Sequence, residues 1–245
     1  MKIYDVSMLV KEGMQVYKNS PNKQPVFSNH SNFETSSAYE TNVKINLHTG
    51  THMDFPLHML KTGKTSDSLD LHRLITKVKV FDLTHLEDGI TDQDLKNLEI
   101  AKDDFVLFKT RNSFEDTFNF SFIYLKESAA KYLASCGISG VGVDGLGVER
   151  DQAGHPTHKI LMNQEITIIE GLRLSQVPEG SYMMFALPIK MPHVDALLLS
   201  VVLVEGLYDS ISDIIRSWSD MGTSPRNQCT FKVKTYWSMA TSKSQ

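Results

Sequence analysis

Residues 48–58, HTGTHMDFPLH, restrict the folding of this chain more than any other stretch. Three of its nine histidines and one aspartate crowd into these eleven positions, around a glycine and a proline. His48, His52, Asp54 and His58 all fall on even positions, so a straight strand would set them on one face. At ~3.3 Å per residue that strand would hold His48 and His52 about 13 Å apart. Metal–ligand bonds of ~2.0–2.2 Å cannot bridge such a gap. A continuous helix would bring the two together, but Gly50 and Pro56 disfavour one. What remains is a strand ending near His48, a sharp turn at Thr49–Gly50, and a return that folds His52 and Asp54 toward His48. Gly50 supplies the backbone freedom and Pro56 stiffens the exit. A polar turn with solvated histidines would account for any one of these side chains, but not for four ligand-type residues around one turn.

A second cluster follows the hydrophobic run GVGVD at 140–144. The segment HPTHKILMNQEITIIEG carries His155, His158, Glu165 and Glu170. Thr157–Asn163 reads as a short helical turn and Ile166–Glu170 as a strand stopped by Gly171, so a histidine near the helix start can converge with a glutamate at the strand end. Residue chemistry alone leaves His155 and His158 as equal choices. GVGVDG matches G-x-G-x-x-G, yet GLGVERDQAG comes next instead of a periodic helix. That context points to close backbone packing near a site rather than to a dinucleotide cradle. GISGV lacks the last glycine of a nucleophile elbow. Cys136 and Cys229 form no C-x-x-C, which excludes a cysteine-rich zinc site or disulfide scaffold and reads as two reduced, buried thiols.

Strand signals recur at Lys2–Leu9, Thr41–Leu47, Lys77–Leu83, Phe105–Thr110, Gly140–Val143, Ile166–Glu170, Tyr182–Leu187 and Leu197–Val204. In Thr41–Leu47, Val43, Ile45 and Leu47 alternate with Asn42, Lys44 and Asn46. Helix signals are fewer: Asp67–Leu74, Thr91–Leu98 with Thr91 and Asp94 at capping-box spacing, and Ser128–Ser135 stopping at Gly137. The pattern predicts a mixed α/β fold, with a β-rich mixed sheet or barrel-like core and flanking helices, rather than a doubly wound parallel sheet. Residues 1–206 read as one domain, and 207–245 as a C-terminal extension packing on the core or on a neighbouring subunit. A net charge of −4 makes a nucleic-acid partner unexpected. No membrane segment is expected either, because the longest nearly apolar run, Ala196–Val204, is nine residues where ~20 are needed. The start, MKIYDVSMLVKEGMQ, lacks the apolar centre of a secretory leader, so a soluble, cytoplasmic protein is expected.

HTGTHMDFPLH resembles the signature of the metal-dependent cyclase family, H-x-G-T-H-x-D-x-P-x-H, which includes the bacterial kynurenine formamidases (arylformamidases). IYDVS, GVGVD, His158 and Glu170 with eleven residues between them, IIEGL, VPEGSY and ALPIKMPHVDA follow in family order, so the resemblance covers roughly residues 3–204. It implies a swivelling β/β/α cyclase fold and a two-metal hydrolase that cleaves a carbon–nitrogen amide bond through a metal-activated water. The type reaction converts N-formyl-L-kynurenine and water to L-kynurenine and formate, a step of tryptophan catabolism. Carried over, His48, His52 and Asp54 bind one divalent ion and His158 a second. Asp54 and Glu170 touch both, and His58 stays off the metal as general acid/base. Two Zn²⁺ are implied, with Mn²⁺ as the alternative, as is a homodimer or homotetramer acting on a small-molecule amide. Tyr17 falls where formamidases carry a tryptophan against the substrate. The chain departs from the formamidase pattern in reading GLG at Gly145–Gly147 in place of T-P-S, and DALLLS at Asp195–Ser200 in place of D-x-S-P-V-R. A cyclic-amide hydrolase of the isatin hydrolase type, another small-carbonyl hydrolase, and a non-catalytic metal-binding protein are the competing expectations.

Overall fold

Side-chain alternation along single strands divides the hydrophobic core into two layers. Phe105 and Leu107 enter one buried cluster, while Val106 and Phe108, on the other face of the same strand, enter a second. In the computed structural model, which describes residues 1–207, the elements run as follows. They are β1 (Lys2–Asp5), β2 (Val26–Ser31), β3 (Glu40–Lys44), β4 (His52–Asp54), β5 (Ile75–Asp82), α1 (Asp92–Leu95), β6 (Phe105–Lys109), α2 (Glu127–Cys136), β7 (Gly140–Val143), α3 (Pro156–Asn163), β8 (Thr167–Glu170), β9 (Gly180–Pro188) and β10 (Ala196–Glu205).

β5, β6, β7 and β8 pair in parallel, with helices on the crossovers between them, as parallel neighbours require. The other pairings are antiparallel. β10 closes the ring: its first residues pair with β4 and its later ones with β9, which in turn pairs with β5. The result is a closed, mixed seven-stranded sheet, with β1 added along the far end of β10. The interior holds Met53, Val78, Phe105, Ile169 and Met184, joined by the alternate residues Leu199, Val201 and Leu203 of β10. The second layer lies outside the wall, where Val106, Val141 and Ile168 meet Ala130 and Leu133 of α2 and Leu161 of α3.

GVGVD forms β7, and its two glycines are packing devices. A Cβ on Gly140 would stand 2.2 Å from the Phe105 ring, and one on Gly142 would stand 2.5 Å from Leu107, so the large interior side chains of β6 occupy the space beside them. α1 carries the expected capping box between Thr91 and Asp94, and α2 ends at Gly137 with φ +70°.

Three expectations need correction. Thr41–Leu47 contributes only to β3, which pairs with β2 in a separate two-stranded sheet exposed on both faces; its alternation marks a strand but no buried side. Asp67–Leu74 is no α-helix but two short 3₁₀ turns, Ser66–Ser68 and Leu71–Arg73. The strand before the histidine turn ends at Lys44, and the residues after the turn form β4 themselves. Cys136 is a free, half-buried thiol. Cys229 and, from residue 208 onward, the expected C-terminal extension lie outside the described residues. Among the described residues no helix is long and apolar enough to cross a membrane.

Candidate metal centre

β4 is only three residues long, but it pairs on both sides, and its register positions the centre. His52 lies opposite Glu170 of β8, and Asp54 lies opposite Ile168. Met53 between them points into the barrel core, so His52 and Asp54 share the outer face of the wall with Glu170. The Gly50 turn (φ +74°) brings His48 back over this face, and α3 brings His158 from the other side. The five residues His48, His52, Asp54, His158 and Glu170 therefore meet.

Each imidazole has one nitrogen anchored and the other directed inward. His52 Nδ1 donates to the Gly50 carbonyl at 2.9 Å, leaving Nε2 3.5 Å from Asp54 Oδ1 and 3.4 Å from Glu170 Oε2. His158 Nδ1 donates to Glu149 Oε2 at 2.8 Å, leaving Nε2 3.4 Å from Glu170 Oε1 and 3.8 Å from Asp54 Oδ2. His48 Nε2 donates to Asp195 Oδ2 at 2.9 Å, and its Nδ1 lies 3.1 Å from Asp54 Oδ1. Fixing one ring nitrogen in this way sets the tautomer and frees the other lone pair for a metal.

Asp54 supplies the test of whether a cation fits. Both of its carboxylate oxygens are buried and have no hydrogen-bond partner among the described residues. A carboxylate removed from water with no hydrogen bond to either oxygen needs positive charge beside it. Three inward lone pairs and the Glu170 carboxylate around it form an N/O donor set suited to divalent Zn²⁺ or Mn²⁺. A metal fits these residues. The same carboxylates favour positive charge on the rings, so protons and a cation compete for these nitrogens: burial opposes the charged form of His48, but Asp54 and Asp195 outweigh it and lift the group to about 9. His158 rises to about 10, with Glu149 and Glu170 overcoming its burial. The fit extends to Glu170, where His158 and His52 outweigh burial and hold the carboxyl well below its usual range.

His58 follows the Pro56 turn. Its ring lies 4.0 Å from that of His48 and 5.8 Å from that of His158, and burial lowers its pKa. A ring nitrogen of His58 is also within 4.8 Å of ligand atoms of His48 and Asp54. Together with Tyr17, Lys23, His48, His158 and Glu170, His58 lines an open cavity of about 170 Å³. His155 is more than half exposed at the cavity's edge, with φ +53°, while His158 is buried. Tyr17 packs edge-on against Phe118 and Phe122 with its other side toward the cavity.

Two carboxylates escaped the sequence reading. Glu149 caps the His158 ring and also accepts from the Thr157 and His158 backbone amides. Asp195 holds His48 and lies 3.6 Å from His58 Nδ1. Their signal was an acidic residue beside each recognised segment, GVER before HPTH and HVDA before the last strand, but only the fold shows which ring each one meets.

The Cyclase family model, described as "Putative cyclase", matches residues 4–150, more than half of the chain. The chain belongs to the cyclase family. The kynurenine formamidase of Salinibacter ruber is 30% identical over 206 residues, covering 83% of this chain and 97% of that cyclase-family relative. A solved structure titled "The Structure Of Potential Metal-Dependent Hydrolase With Cyclase Activity" is 50% identical, with a TM-score of 0.77 over 82% of this chain and 96% of the other. Isatin hydrolase A from Labrenzia aggregata shares the cyclase fold at 21% identity, with a TM-score of 0.72 over 83% of this chain and 93% of that one.

Proposed function

We propose that this protein is a divalent-metal hydrolase that cleaves a carbon–nitrogen amide bond of a small molecule with water, as an arylformamidase does on N-formyl-L-kynurenine. One observation carries the reading: the buried, unpartnered Asp54 carboxylate, with three imidazole lone pairs and Glu170 turned toward it. The names of the relatives, kynurenine formamidase among the curated proteins and metal-dependent hydrolase among the structures, support the same chemistry.

In this reading His48, His52 and Asp54 would hold one ion and His158 a second, with Asp54 and Glu170 available to either; Zn²⁺ or Mn²⁺ would suit the set. When bound, the ions supply an acidified water and a polarised carbonyl. The chain's own residues do the rest. His58, on the cavity side of the cluster, takes a proton from the attacking water and delivers it to the amide nitrogen as that nitrogen leaves. Without the delivery, the tetrahedral adduct would expel water's oxygen again and return to substrate. Asp195, in contact with both His48 and His58, keeps the two rings in a fixed relation. Tyr17, Met59 and Leu146 provide the apolar wall against which a planar acyl-amine can lie.

The test combines elemental analysis with turnover of formyl-arylamines and cyclic imides on one preparation. Bound Zn or Mn, with formate released in step with amine, is the expected result. Ring opening without formate would move the reading to a cyclic amide, and bound metal without turnover on either class would remove the enzymatic reading.

A further inference from the structure

Lys23 lies on the wall of the cavity that also contains His48, His58 and Glu170, and it is half-buried there. Its surroundings differ from those of the lysine five positions earlier. Lys18 also stands over the Tyr17 ring, 5.4 Å from its centroid, but it is exposed and pairs with Asp151 at 3.2 Å. Lys23 directs its ammonium over the Tyr17 ring, 5.3 Å from the centroid, and among the described residues no carboxylate pairs with it. The face of a tyrosine ring attracts an ammonium without neutralising it, so the Lys23 charge is available to an anion in the cavity.

The backbone nevertheless holds Lys23 in place. The buried Thr49 hydroxyl donates to the Lys23 carbonyl at 2.7 Å, so the residue next to His48 fixes the lysine relative to the centre. The preceding turn contains two consecutive non-glycine residues in the left-handed region, Lys18 (φ +55°) and Asn19 (φ +51°). Such a conformation is uncommon outside glycine and persists only where the surroundings impose it, most often beside functional sites. Here it bends the chain so that Tyr17 and Lys23, on either side of the turn, both reach the same cavity.

We propose that Lys23 is the residue that anchors the substrate's carboxylate, with the substrate's ring on Tyr17 and its acid group on the lysine. This deepens the amide-hydrolase reading and rests on it for the reaction. A ligand carboxylate supplies the counter-ion that Lys23 lacks and forms a charge-assisted hydrogen bond to it. A neutral analogue of the same shape offers neither.

The experiment is calorimetric titration of the metal-loaded full chain with benzoate and with benzamide. Any attraction of the acid to the ions is common to wild type and variants, so the change in preference isolates the lysine. The wild type is expected to favour the acid, K23M to reduce that preference at least ~10-fold, and K23R to restore most of it. K18M, which removes an ammonium already paired with Asp151, is expected to retain the wild-type preference. No acid preference in the wild type, or one that survives K23M, overturns the inference. Amide turnover is followed on the same preparations. A lost preference in K23M without turnover in the wild type sinks the proposed activity and leaves the lysine's role standing; turnover with an unaltered preference does the reverse.

Discussion

His58 is within reach of the metal cluster, yet the proposed reaction requires it to remain free. Its ring lies tilted against that of His48 at 4.0 Å, and Asp195 Oδ2 lies 3.6 Å from its Nδ1. An acid/base in this position acts on the substrate, not on ion retention. His58→Ala should therefore keep its metal content and lose at least ~100-fold in kcat; metal analysis and steady-state kinetics on one sample decide the point, and a metal-free variant would make His58 a ligand. Glu149 poses the complementary case, because it acts through His158. Its Oε2 accepts from His158 Nδ1 at 2.8 Å and so keeps Nε2 turned to Asp54 and Glu170. Loss of such a partner costs roughly 10–100-fold in metal affinity. Glu149→Gln should show that loss in a competitive metal titration while its far-UV spectrum stays that of the wild type.

Between the turn at Gly50 and the end of β8, two backbones touch. Gly171 has φ +71°, and a Cβ there would stand 2.5 Å from the Gly50 carbonyl oxygen. Gly171→Ala must therefore separate the turn that carries His48 from the strand that carries Glu170. A methyl at a positive-φ glycine with no room destabilises by more than ~1 kcal/mol. Thermal unfolding should show a lower Tm, and metal titration a weaker site, because the ligands lie on both sides of that contact. Neither glycine's partner was readable from the sequence. The strands at Phe105–Lys109, Gly140–Val143 and Ala196–Glu205 were, since uninterrupted apolar runs between turn residues leave few alternatives. The clustering of His48, His52, Asp54 and His58 was legible because these residues are local. The pairing of His52 with Glu170 was not, because strand register depends on which segments meet, and no local pattern records that. The same limit explains Thr41–Leu47, where a period of two identifies a strand without saying what, if anything, covers it.

Closure of the barrel and assembly of the centre draw on the same distant segments. β10 joins β4 to β9, β4 pairs with β8, and the proposed ligands come from the Gly50 turn, β4, β8 and α3. The interior core contains none of these ligands, so the barrel has a source of stability independent of any ion. The outer face is different: there the buried Asp54 oxygens, which no hydrogen bond satisfies, oppose folding until a cation stands beside them. An ion that binds only the folded chain stabilises it by ~2.7 kcal/mol at a free concentration of 100 Kd and by ~4.1 kcal/mol at 1,000 Kd. For a domain of this size each kcal/mol corresponds to roughly 2–4 °C in Tm. Chelation should thus lower the Tm by roughly 5–15 °C while leaving a cooperative transition from the intact barrel, and added Zn²⁺ should restore it. Scanning calorimetry with and without chelator measures the effect, and an unchanged wild-type Tm would remove the proposed ligand set. Asp54→Asn ties the shift to the centre and not to incidental surface binding. With an amide in place of the carboxylate the site loses the charge that would hold the cation, and neither chelator nor added zinc should move that variant's Tm.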